Sequence, residues 1–124
     1  MTPKTPAEAI ERFSERLSAG DLDGALVLYE PTATFVVGPG RIVQGHEAIR
    51  EALEGFLALR PRMEGEIQKV VQTDDVALVV NAWRLEGRDP SRQAIEMSGR
   101  SADVVRRGAD GTWRVLIDDP WGAN

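Results

Sequence analysis

The stretch from Asp21 to Leu53, DLDGALVLYEPTATFVVGPGRIVQGHEAIREAL, constrains this chain more than any other. A short amphipathic helix runs into a proline, and a β-branched, aromatic arm follows. A Gly-Pro-Gly turn then reverses the chain, and a second short strand leads into another helix. That order opens a curved sheet wrapped around helices, an architecture that leaves a pocket between its layers. The segment points firmly to a cavity and hardly at all to a reaction.

The flanking residues extend the pattern. Thr5-Pro6-Ala7-Glu8 is a capping box with proline at the first helical position, which predicts a helix from Pro6. Ile10, Phe13 and Leu17 recur at helical spacing, and Gly20 ends the helix. Asp21 caps a second short helix, expected to carry Leu22, Ala25, Leu26 and Tyr29 and to stop before Pro31. Thr32 to Val37 reads as a strand, Gly38-Pro39-Gly40 as a turn, and Arg41 to Val43 as its returning partner. A third helix is expected from about His46, with Ile49, Leu53, Phe56 and Leu57 on its apolar stripe, closed by Arg60-Pro61. Strands at about 62–73, 76–87, 93–107 and 112–118 follow, with turns at Thr73-Asp74-Asp75, Gly87 to Ser91 and Gly108 to Gly111. Helices first and a long antiparallel meander afterwards is an α+β pattern. It is read as one domain over 1–124, without repeats or low-complexity segments.

Composition narrows the function classes. A chain of 124 residues can bury roughly two thirds of its unfolded surface in a single core. The net charge is -5, and the densest basic cluster is Arg106-Arg107, so neither nucleic acid nor an anionic membrane is an expected partner. The absence of cysteine excludes a disulfide framework, a thiolate zinc site and a cysteine nucleophile. His46 is the only histidine, and carboxylates alone rarely hold zinc or iron, so no metal or other cofactor is expected. Beside Gly45 at a helix start, His46 reads as a solvated residue of the capping region. The opening MTPKTPAEAI lacks the apolar run of a signal peptide, and no stretch approaches membrane-spanning length; the expected location is cytoplasmic.

Several short pieces in a fixed order carry a family resemblance. They are Phe13 with Gly20-Asp21, Tyr29 with Ala33-Thr34-Phe35, and Gly45-His46-Glu47-Ala48-Ile49. Further along come Ala102-Asp103-Val104, Asp110 to Val115, and Ile117-Asp118-Asp119-Pro120-Trp121-Gly122. Over about residues 6 to 122 the chain resembles the nuclear transport factor 2-like superfamily, specifically its SnoaL-like and ketosteroid-isomerase-like branch. The resemblance implies a cone-shaped antiparallel sheet around about three N-terminal helices, enclosing an apolar pocket. It also implies a homodimer joined through the sheet's outer face. One fold of this kind hosts many functions.

The isomerase chemistry implied by that branch uses a carboxylate base on the strand after the second helix. A tyrosine and a protonated aspartic acid serve as oxyanion donors. Here the base position falls on Val37 and the tyrosine position on Phe13, while Asp103 fills the acid position. Valine cannot move a proton and phenylalanine cannot donate a hydrogen bond, so a steroid isomerase of that mechanism is not expected.

Other residues could carry chemistry. By the family's inward register Asp103 and Asp118 both face the cavity, although a β-bulge would swap faces. Two carboxylates in an apolar pocket would have raised and separated pKa values, as an acid–base pair requires. The alternative is that Asp103 pairs with Arg84 or Arg100 and that Asp118-Asp119-Pro120 is only a turn. An epoxide-opening Asp–Arg–Asp set would draw on the same residues. The expected ligand-binding residues are Phe13, Val37, Phe56, Asn81, Trp83 and Leu116, with Trp83 stacking on an apolar ring and Asn81 orienting a carbonyl.

Two functions stay open. One is a small-molecule-binding protein with an apolar pocket. The other is an isomerase, cyclase or hydratase using Asp103 and Asp118 as acid–base groups. Strands 76–87 and 93–107 carry apolar residues on both faces, which independently predicts a homodimer.

Overall fold

The computed structural model describes residues 2–124. Helix α1 (Pro6–Ser18) begins where the capping box predicts, with Glu8 N–H donating to Thr5 Oγ1 at 3.2 Å and Pro6 in the first turn. Gly20 (φ +72°) makes the left-handed exit that a side chain would resist. Asp21 then caps α2 (Leu22–Leu26) by accepting from Gly24 N–H at 2.9 Å.

This second helix is shorter than expected, and Tyr29 belongs to β1 (Tyr29–Gly38) instead. The backbone here is captured by the last strand: Val115 N–H donates to Leu28 O at 2.7 Å, and Tyr29 pairs with Val115. Pro31 lies where that pairing is interrupted, between Tyr29 and Thr34, so its missing N–H costs no ladder bond.

The remaining elements are β2 (Arg41–Gln44), α3 (His46–Leu57), β3 (Arg62–Thr73), β4 (Val76–Arg88), β5 (Ala94–Arg107) and β6 (Trp113–Asp118). The six strands form one curved sheet in the order β2-β1-β6-β5-β4-β3. Its pairs are antiparallel except β1 with β6, which run parallel and join the two ends of the fold. The architecture is the expected α+β cone.

Three single-residue bulges interrupt the ladders, at Val37 in β1, Gln68 in β3 and Leu116 in β6. Each shifts the period-two alternation by one and increases the local twist. The helices pack into the concave face. Ile49 and Leu53 of α3, with Val79, Val105, Tyr29 and Trp113 of the sheet, are fully buried. Each such aliphatic side chain contributes about 1.5–3 kcal/mol.

Two adjacent rows of side chains cross the sheet on opposite faces. The convex row runs Val71, Leu78, Val104, Ile117, Thr34 through successive pairs. Val71 is 48% exposed and Leu78 and Ile117 are each 39% exposed. The concave row holds Val79 beside Asp103 and Asp118 beside Phe35. Among the described residues, no helix is long and apolar enough to cross a membrane.

Candidate functional site

The concave row forms the floor of a cavity of about 60 Å³ between the sheet, α1 and α3. Its walls are mostly hydrocarbon and aromatic: Phe13 and Leu17 from α1, Phe56 from α3, Phe35, Trp83 and Val115 from the sheet. The rings make a connected series. Phe13 meets Tyr29 edge-on at 5.8 Å, and Phe35 lies 6.3 Å from both Tyr29 and Phe56. Polar groups gather at one part of the lining: Asn81, Ser101, Asp103 and Asp118.

Strand register explains this convergence. Ser101 and Asp103 stand two residues apart on β5 and therefore share a face. On β6, Val115 points inward, so strict alternation would turn Asp118 outward. The extra residue at Leu116 resets the pattern and brings Asp118 to the inner face beside Asp103. Asn81 sits opposite Ile67, and Gly65 makes room for it: a Cβ there would lie 2.8 Å from Asn81 Oδ1.

The two carboxyls face each other across the cavity floor, and each is hydrogen-bonded to the groups around it. Ser101 Oγ donates to Asp103 Oδ2 at 2.7 Å, and Asp119 N–H donates to Asp103 Oδ1 at 3.2 Å. Tyr29 Oη donates to Asp118 Oδ2 at 2.5 Å. Burial lifts Asp103 well above the usual carboxylate range, and the charge of Asp118 lifts it further; the Ser101 hydroxyl pulls it back. Asp118 is also raised by burial, with the hydrogen bonds from Tyr29 and Asp103 opposing the shift. Burial, then the Asp118 charge, holds the Tyr29 phenol well above its ordinary value. Both acids are thus pushed up by burial, Asp103 the more strongly, which favours a proton held between them with Asp103 as the donor side.

Phe13, Phe56, Asn81, Trp83, Asp103 and Asp118 are all brought together around this cavity. Val37 and Leu116 are not. Each is the extra residue of a bulge, and the inward positions on their strands are taken by Phe35 and Val115. Phe35 is as unable as valine to accept a proton, so the base position of the isomerase branch stays vacant.

The arginine pairing expected for Asp103 does not occur. Arg84 binds Glu86 and Glu96 on the surface, and Arg100 donates to Gln68 Oε1 at 2.8 Å and Ala123 O at 3.1 Å. With both guanidiniums outside the cavity, the Asp–Arg–Asp arrangement for epoxide opening is not formed. His46 is also not a freely solvated residue: it is half-buried, and its Nε2 lies 2.8 Å from Tyr29 O.

Sequence reading missed Tyr29 as a partner of Asp118, because its spacing after Leu22, Ala25 and Leu26 mimics a helix. It also missed Trp121, which lines the cavity from beyond the last strand. The available signal for Ser101 was its i, i+2 relation to Asp103. Among the described residues, no group of three or more His, Asp or Glu side chains is placed to hold a metal ion.

A curved sheet closed over helices is the architecture of the nuclear transport factor 2-like class. Within it, the chain belongs to the SnoaL-like domain family, whose profile matches residues 10–116. No curated protein matches the sequence. Among solved structures, it is similar to a ketosteroid isomerase-like protein from Erwinia carotovora atroseptica. That match has a TM-score of 0.74 at 21% identity, covering 90% of this chain and 88% of that one. A candidate scytalone dehydratase from Novosphingobium aromaticivorans superposes with a TM-score of 0.80 at 17% identity, covering 90% and 77%. An NTF2-like protein with a cystatin-like fold from the same species gives 0.75 at 17%, covering 90% and 75%. At these identities the likeness concerns the fold.

Proposed function

We propose that the protein binds a small, neutral, largely apolar molecule in this cavity and catalyses a proton transfer on it, of dehydratase or isomerase type. The observation that carries the reading is the meeting of Asp103 and Asp118 at the end of an apolar cavity, with no cationic side chain in its described lining. Uncompensated buried acids are costly to a fold, and raised pKa values cluster at functional sites. The names of the structural neighbours, isomerase-like and dehydratase, agree with that chemistry. A negatively charged ligand is disfavoured by the same acids.

The pair suits a dehydration in which Asp118 takes a proton from the carbon next to a carbonyl. Asp103 gives its proton to the departing hydroxyl on the neighbouring carbon, so that the C–O bond breaks, water leaves and a C=C bond forms. The proton now on Asp118 passes to Asp103 across their mutual hydrogen bond, restoring the starting state. In an isomerisation the proton would return to a different carbon, with Asp103 hydrogen-bonded to the enolate oxygen.

A test substrate is 3-hydroxycyclohexanone, whose loss of water gives cyclohex-2-enone with a strong ultraviolet signal. The parent should form the enone faster than buffer, and D103N and D118N should each lose about 10²–10⁴-fold. Binding of the enone with no turnover would remove the catalytic reading and leave the second one, a binding protein with an apolar pocket. That second reading is favoured by the 60 Å³ cavity and by the absence of a base at Phe35. The convex row of Val71, Leu78, Val104 and Ile117 supports assembly as a homodimer through the sheet, over about 1,200–2,000 Å² in total.

A further inference from the structure

The chain does not leave the site at the end of β6. Residues 119–124 fold back along β5 as a strap, and its hydrogen bonds fall on the sheet. Ala102 N–H donates to Asp119 O at 2.9 Å, Ala123 N–H to Arg100 O at 3.0 Å, and Arg100 N–H to Asn124 Oδ1 at 2.7 Å. From this strap the half-buried Trp121 reaches into the cavity lining. Its indole is fixed on three sides. The N–H donates to Ser98 O at 3.1 Å, and the ring meets Trp83 edge-on at 5.4 Å. It also lies directly against Gly99, where a Cβ would fall 2.6 Å from Trp121 Cδ1 and 2.9 Å from Nε1. Trp83 in turn donates its own N–H to Pro120 O at 2.6 Å.

We infer that Trp121 is the size-determining wall of the ligand site, and that Gly99 is the seat that holds it there. This deepens the proposed function and rests on the cavity being the ligand site. Trp83 and Trp121 together close one side of a space of about 60 Å³, so the indole sets the upper limit on the ligand that the parent admits. Removing the indole opens the cavity toward the strap without touching Asp103 or Asp118. A side chain at position 99 displaces the indole and acts in the same direction. The strap also begins at Asp119, whose N–H is bound to Asp103 Oδ1, so the wall and the acid stand on one short piece of backbone.

The test compares the dissociation constants of phenol and 2-naphthol by titration calorimetry. The parent should favour phenol. W121A should shift the ratio toward 2-naphthol by about tenfold or more, since single groups in an apolar pocket discriminate on that scale. W121F should fall between them. G99A should move the ratio the same way by shifting the indole while removing no cavity side chain, which guards against a misfolded W121A. A ratio unchanged in both W121A and G99A overturns the wall while leaving the cavity as the binding site. Failure of parent and W121A alike to bind either probe overturns the cavity reading and this inference together.

Discussion

The two faces of one sheet reverse the usual order. On the convex side, the row Val71, Leu78, Val104 and Ile117 is apolar, and all but the half-buried Val104 are open to solvent. One residue along, the concave side buries two carboxyls among phenylalanines, with Asp103 only 3% exposed. Several acids at the edges and on the outer surface are paired with arginine: Glu30 with Arg106, Asp75 with Arg107, and Asp110 with Arg114. The inner ones have tyrosine, serine and each other. Surface acids thus have arginine partners available, whereas the inner two have no cationic neighbour in the described cavity lining, and burial raises their pKa values. The exposed apolar row is the surface on which the proposed homodimer would form.

The sharpest way to break this contrast is to compare activity with fold at Asp118. D118N should lose about 10²–10⁴-fold in dehydration of 3-hydroxycyclohexanone, whereas D110N on the outer side should retain the parental rate. Equal losses would dissolve the distinction between the faces. The convex row comes next. L78E should convert a dimer to a monomer by light scattering at micromolar concentration, because a carboxylate at the centre of an apolar interface has no partner. A parent with the mass of a single chain would remove the assembly.

Smaller effects bear on the inner pair. Y29F leaves Asp118 without the 2.5 Å donor and should destabilise the fold by about 1–3 kcal/mol in urea titrations. It should also raise the Asp118 pKa, moving the acid limb of the pH–rate profile upward.

The folded pKa of Asp103 exceeds its unfolded value, so the stability linked to it is fully present below the unfolded pKa. It is lost as pH rises through the folded pKa. D103N retains a donor toward Asp118 without that loss. It should melt higher than the parent at pH 7, by roughly 3–6 °C if the gain is about 1 kcal/mol, and the advantage should vanish in acid. A variant less stable than the parent at pH 7 would mean that Asp103 is structural. Asp110 is the opposite case and the smallest effect. Its hydrogen bond from Arg114 depresses its pKa, so its contribution is present above the unfolded value and fades as pH falls. D110N should lower the melting temperature by no more than about 2 °C, and salt should erase the difference.

Much of the scaffold is legible because its signals are local. The capping box at Thr5, the cap at Asp21, the turn at Gly38-Pro39-Gly40 and the long β-branched strands each announce themselves within a few residues. Asp103 could be aimed inward by alternation along β5. Val37 and Leu116 stand outside the cavity lining for one shared reason: each is a bulge residue, and a bulge depends on how two distant strands accommodate their curvature. Tyr29 was hidden by competition. Its spacing suits a helix and Pro31 resembles a stop, but parallel pairing with β6, which no local pattern reveals, draws it into β1. Ion pairs were equally illegible, since Arg84 and Arg100 found partners set by neighbouring strands and by the strap rather than by proximity in sequence.

The bulge at Leu116 also bears on how such a site could arise or vanish. Loss of the single codon for Leu116 would remove the bulge and leave Val115 and Asp118 both inward, with Ile117 still outward between them. A strand of the present length paired without the bulge would instead turn Asp118 to the convex side and carry Ile117 inward. The same sheet would then present a hydrocarbon cavity and an acidic exterior. Within this architecture the pairing of one residue decides whether the two acids meet, with no substitution at either carboxylate.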